Sequence, residues 1–148
     1  MFTLILLMLY TILRSFLVFL SSSIGLTAQV TGLWKVPDEH DGVVKSIVEI
    51  YEYNSKYYGR VSQVLDSSRH THCESCVGDL KDKPLTGMRI LDDLTKTSNG
   101  GIDGTVLNPG SGKVYSCYIE LESPDRLKLR GYVGMPAFGK TLYWTRLK

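Results

Sequence analysis

From residue 30 onward the apolar residues of this chain fall in short runs rich in Val, Ile, Leu, Tyr and Thr, separated by Gly, Asn, Asp and Pro. That is the period of strands, and helical spacing is almost absent. Expected strands run Val30 to Val36, Val43 to Tyr53, Lys56 to Asp66, Met88 to Thr95, Gly101 to Leu107, Lys113 to Glu122, Arg126 to Val133 and Lys140 to Leu147. Asn54-Ser55 reads as a tight hairpin turn, and Asn108-Pro109-Gly110-Ser111-Gly112 separates the fifth and sixth runs.

Alternation assigns the faces. In the seventh run Leu127, Leu129, Gly131 and Val133 share one side, with Arg126, Lys128, Arg130 and Tyr132 on the other. A sheet wetted on one face has this pattern. The sixth run groups Tyr115, Cys117, Ile119 and Leu121, and the last sets Leu142 and Trp144 against Tyr143 and Thr145. Eight such runs with short connections predict an all-β, antiparallel meander that removes its edges by closing into a small barrel. A two-sheet sandwich is the competing arrangement. The interior of an eight-stranded barrel is either filled by side chains or holds one small ligand, and the pattern does not choose between them. One stretch breaks the meander: Ser67 to Gly87, a loop long enough to expect a function.

The first 28 residues differ in kind. Residues 2 to 20 are apolar apart from Thr3, Thr11, Arg14 and Ser15, and Leu26-Thr27-Ala28-Gln29 is a small-residue exit of the signal-peptidase type. A helical signal segment, residues 1 to 28, cut after Ala28 is expected, leaving one domain over 29 to 148 with no membrane span. A retained helix would put Arg14 near its middle, at about 2.5–3.5 kcal/mol on the insertion scale. A start at Met8 instead of Met1 would place Arg14 ahead of Phe16 to Leu20, the regular order of such a leader. Cleavage implies a secreted or periplasmic protein. The remaining chain carries 16 basic against 15 acidic residues, which argues against nucleic acid as a partner.

The chemistry is concentrated in the long loop. His70, His72, Cys73 and Cys76 lie within seven residues and invite a zinc reading. Adjacent His72 and Cys73 cannot easily both face one tetrahedral ion, and in an oxidising compartment Cys73 and Cys76 are expected to close a disulfide. A bond from Cys117 to either of them is the competing assignment; otherwise Cys117 is a core residue. Redox activity is disfavoured, because no βαβ context surrounds the CxxC and Glu74 opposes a thiolate. For Asp38-Glu39, Asp92-Asp93 and Glu120-Glu122 acid–base work needs a spatial convergence that spacing cannot show, and solvated loop or outer-face positions are expected; Glu49 is expected to face outward. No nucleophile elbow, phosphate loop or zincin helix is present. Neither an enzyme nor a cofactor is expected.

Several segments together resemble one known family: Gly32-Leu33-Trp34-Lys35, Ser46 to Tyr51, Tyr58-Gly59, Cys73-Glu74-Ser75-Cys76, Lys81 to Met88, Leu107 to Cys117, Leu129 to Gly134 and Gly139 to Arg146. In this order they are similar to the bacterial family catalogued as domain of unknown function 2147, over essentially residues 30 to 147. The resemblance implies a secreted or periplasmic barrel of lipocalin-like topology and brings no activity and no agreed ligand. The family often has Asp where Asn108 stands. A binding protein for a small apolar or amphipathic molecule is then the leading expectation, with Trp34, Tyr115, Ile119, Leu129 and Trp144 as pocket candidates. An envelope module that presents the long loop to another protein is the alternative, and a metal or thiol protein using His70, His72, Cys73 and Cys76 comes third.

Overall fold

A computed structural model describes residues 29–38, 40–66, 71–98 and 100–148. Eight strands follow in sequence: β1 (Gly32–Pro37), β2 (Val44–Tyr53), β3 (Lys56–Val64), β4 (Arg89–Lys96), β5 (Ile102–Asn108), β6 (Lys113–Ser123), β7 (Arg126–Tyr132) and β8 (Lys140–Arg146). Each pairs with its chain neighbour and the sheet closes into a barrel, so the sandwich alternative is excluded. Closure is made by Trp34 opposite Arg146 and Lys35 opposite Thr145 between β1 and β8. The signal segment falls outside the described residues.

Asn54 and Ser55 both have positive φ, the backbone a two-residue hairpin needs to match strand twist. In β6 and β7 the register puts Cys117 opposite Gly131 and Ile119 opposite Leu129, so the inward rows face one lumen. Trp34, Val48, Ile50, Leu94, Cys117, Ile119 and Leu127 pack one half of it, and among the described residues no charged or polar side chain is buried.

The outer face is wet and self-paired. Glu49 bonds Arg60 at 2.8 Å, as an outward acid should. Tyr51 stacks on Tyr58 at 5.9 Å, with Arg60 over the first ring and Arg89 over the second. These tyrosines are therefore cross-strand pairs and not pocket walls. Asp93 bonds Lys56 at 2.8 Å, and that hydrogen bond and charge hold its carboxyl below the ordinary range. Asp92 pairs with Arg89, Glu120 with Lys128 and Glu122 with Arg126. Asp92-Asp93 and Glu120-Glu122 are thus dispersed into surface bridges, each contributing little to stability.

Candidate functional site

The loops alternate between the two ends of the barrel. The tight turn at residues 54–55, the 97–101 connection and the 124–125 turn sit at one end together with Gln29. The 38–43, 65–88, 109–112 and 133–139 connections sit at the other. The first end is shut by contacts around Trp34. Its indole N–H donates to the Val30 carbonyl at 2.9 Å, and the Arg146 guanidinium lies 4.2 Å above its ring. Arg146 also donates to the carbonyls of Pro124, Thr31 and Gln29 at 2.7, 2.9 and 2.6 Å. The opposite end is open: a cavity of about 830 Å³ descends from it into the lumen. That falls within the roughly 300–1,000 Å³ of small-molecule sites.

Its deep wall is apolar, formed by Val61, Ile90, Val106, Leu129, Leu142 and Trp144. The rim is mostly polar, with Asp38, His40, Lys45, Asp66, His72, Glu74, Asn108 and Lys140, and carries Val133 and Phe138 on one side. Of the pocket candidates, Tyr115, Leu129 and Trp144 line this cavity. Trp34 and Ile119, also inward, do not line it: both are completely buried in the packed half, deeper along the same inward rows. Trp144 closes the cavity floor, and its indole N–H is a buried donor without a partner among the described residues. Sequence reasoning missed Val61, Ile90, Val106 and Leu142; their places on inward rows near the open end were the available signal.

One side of the mouth is built by the long loop. Cys73 and Cys76 form a disulfide, Cα atoms 5.3 Å apart, while Cys117 is free and buried, which overturns its pairing with either of them. The bonded cysteines face the core, and Glu74 and Ser75 between them line the cavity. The loop is tied internally: Cys73 N–H donates to Lys83 O, Asp82 N–H to Cys73 O, Lys81 Nζ to Glu74 O, and His72 bridges Pro84. It rests on the β5–β6 turn, where Gly112 has φ +67° and an added Cβ would come within 1.9 Å of the Ser75 carbonyl oxygen. Only glycine fits that contact.

With both sulfurs in the disulfide, a zinc site on Cys73 and Cys76 has no thiolate to use. His72 Nδ1 lies 2.9 Å from Thr71 Oγ1, and His70 falls outside the described residues. Among the described residues no cluster of three metal-ligating side chains occurs. The Asn108 side-chain oxygen accepts from Gly110 N–H at 3.0 Å and Ser111 N–H at 3.4 Å. That is turn-capping work an aspartate would perform equally, while asparagine leaves this part of the cavity lining without a carboxylate.

A closed eight-stranded meander with one sealed end and an apolar lumen open at the other defines a lipocalin-like barrel. The chain belongs to the family described as uncharacterized protein conserved in bacteria (DUF2147), whose model matches residues 32–146. It is similar to a solved structure, protein HP1028 from Helicobacter pylori, described as belonging to the lipocalin family. Sequence identity is 25% and the TM-score 0.71, over 82% of this chain and 85% of that one. No curated protein matches.

Proposed function

We propose that residues 29 to 148 act outside the cytoplasm as a carrier of a small apolar or amphipathic molecule held in the barrel lumen. The observation that carries this reading is the cavity itself, greasy at depth and polar at the rim, which suits a molecule with an apolar body and a polar end. The likeness to a protein of the lipocalin family supports it. Export is supported by the leader-like residues 1 to 28 and by a disulfide, which persists in oxidising compartments. Intact mass of the protein recovered from the cell envelope is expected to begin at Gln29; any other first residue counts against the export route drawn here.

Gly131 gives a direct test of the lumen. It stands in the inward row of β7 and lines the cavity. A Cβ there would approach nothing closer than Val106 Cγ1 at 3.6 Å and Tyr115 Cβ at 4.0 Å. Gly131→Phe therefore has room for its Cβ, adds a ring on the cavity side of β7, and removes backbone freedom from the unfolded chain. The parent is expected to bind parinaric acid, a fluorescent long-chain fatty acid, and the variant to bind it at least about tenfold more weakly with an unfolding midpoint no lower than the parent's. Equal binding by both, or none by the parent, counts against a lumen site.

A further inference from the structure

The exposed apolar side chains are not spread evenly around this barrel. The β7–β8 loop presents Val133, Met135 (60% exposed) and Phe138 (80%), and Val114 at the start of β6 is 62% exposed. The β6–β7 register sets Ser116 opposite Tyr132, so the start of β6 and the loop after β7 lie side by side and the four residues share one corner of the open end. The loop that carries them is braced. Arg130 donates to Pro136 O at 2.7 Å, to Ala137 O at 3.3 Å and to Thr141 Oγ1 at 2.7 Å. That holds the short 3₁₀ turn Pro136–Phe138 in place. Patches of this kind mark interaction sites, and bracing lowers the ordering cost of using one.

Charge identifies the partner. Residues 109–119 and 126–148 contain no Asp or Glu, while Lys113, Arg130 and Lys140 lie within or beside the patch. The acids of the mouth, Asp38, Asp66 and Glu74, line the cavity from the β1–β2 and β3–β4 connections, outside these two segments. We infer that this apolar, cationic corner of the mouth docks on an anionic lipid surface. Met135, Phe138, Val133 and Val114 enter the headgroup boundary, and the flanking cations meet phosphates. A bilayer suits these residues better than a folded partner does. Three of them stand on the β7–β8 loop and Val114 at the turn-side end of β6, beside a lumen whose opening would then lie against the lipid. The barrel wall itself, with its ladder of Arg, Lys, Glu and Asp pairs, lacks the apolar band of a lipid-facing barrel. Contact is confined to the rim, and it does not require the lumen to be occupied.

Flotation with vesicles tests this, using protein from the soluble fraction of cells that express the full chain. With phosphatidylcholine and phosphatidylglycerol in equal parts the parent is expected to float, and with phosphatidylcholine alone, or in high salt, to float about fivefold less or worse. Val114→Asp combined with Met135→Asp is expected to reduce flotation about tenfold or more. Tyr53→Asp, exposed at the sealed end, and Gly131→Phe are expected to leave it unchanged, so failure of the lumen reading and failure of docking are read separately. Circular dichroism checks the fold; if the double variant has lost it, Met135→Ser carries the same comparison. A parent that does not float overturns the inference. So does flotation that is indifferent to the rim substitutions, as attachment through residues 1 to 28 would give, or that is equally sensitive to Tyr53→Asp.

Discussion

Trp34→Ala is expected to lower stability by about 3–5 kcal/mol, enough to move the thermal midpoint down by more than about 10 °C. The side chain is completely buried, and three losses coincide at it. Its volume becomes a cavity where β1 and β8 close the barrel. The Val30 carbonyl loses its indole donor. The Arg146 guanidinium loses the ring beneath it, a cation–π contact of about 0.5–2 kcal/mol. Because Arg146 also gathers the carbonyls of Gln29, Thr31 and Pro124, Trp34→Ala and Arg146→Ala should be strongly non-additive. A cycle of the two by urea unfolding is expected to give a coupling energy of about 1 kcal/mol or more. Additive effects, or a loss below about 1 kcal/mol for Trp34→Ala, would show that the sealed end does not depend on this pair.

Trp34 and Arg146 meet from opposite ends of the domain, and no local pattern in the chain announces that contact. What is local is legible. Alternation in β6 and β7 separates inward from outward residues because a pleated strand has a period of two. Asn54-Ser55 marks its hairpin because few residues tolerate positive φ. The strands lie within about two residues of the positions read from the sequence. Depth along the lumen is not local. Tyr115, Cys117 and Ile119 occupy one inward row and look alike in sequence, yet only Tyr115 borders open space. Whether an inward residue is packed depends on the seven other strands at its level. An inward glycine is no cue by itself: Gly131 borders the cavity, whereas Gly59 and Gly104, opposite Ile50 and Cys117 on inward rows, are packed against Leu91 and Leu94. The loop shows the same limit: the CxxC spacing permitted disulfide, metal or a bond to Cys117, and only its seat on Gly112 and the core decides.

The third cysteine carries the other large expected effect. Cys117 is completely buried in the packed half of the lumen, and burial, with the charge of Asp103 adding to it, pushes its thiol from 9.0 up to about 12. Alkylation and thiol–disulfide exchange need the thiolate. At pH 8 the folded protein is therefore expected to react with iodoacetamide about a thousandfold more slowly than the urea-unfolded chain, before steric shielding is counted. That also keeps Cys117 from attacking the Cys73–Cys76 bond at the mouth. The same difference sets a stability window. Below about pH 9 the thiol is protonated in both states and its contribution is complete. Between pH 9 and about 12 the unfolded chain ionises while the fold does not, so this contribution falls by roughly 1.4 kcal/mol per pH unit. Lysines and tyrosines titrate there too, so the measurement is the difference between parent and Cys117→Ala in urea midpoints at pH 8, 10 and 11. The parent's advantage is expected to shrink as pH rises. A difference that stays constant, or a native thiol that labels as fast as the unfolded one, would mean that water reaches the half of the barrel on which the sealed end depends.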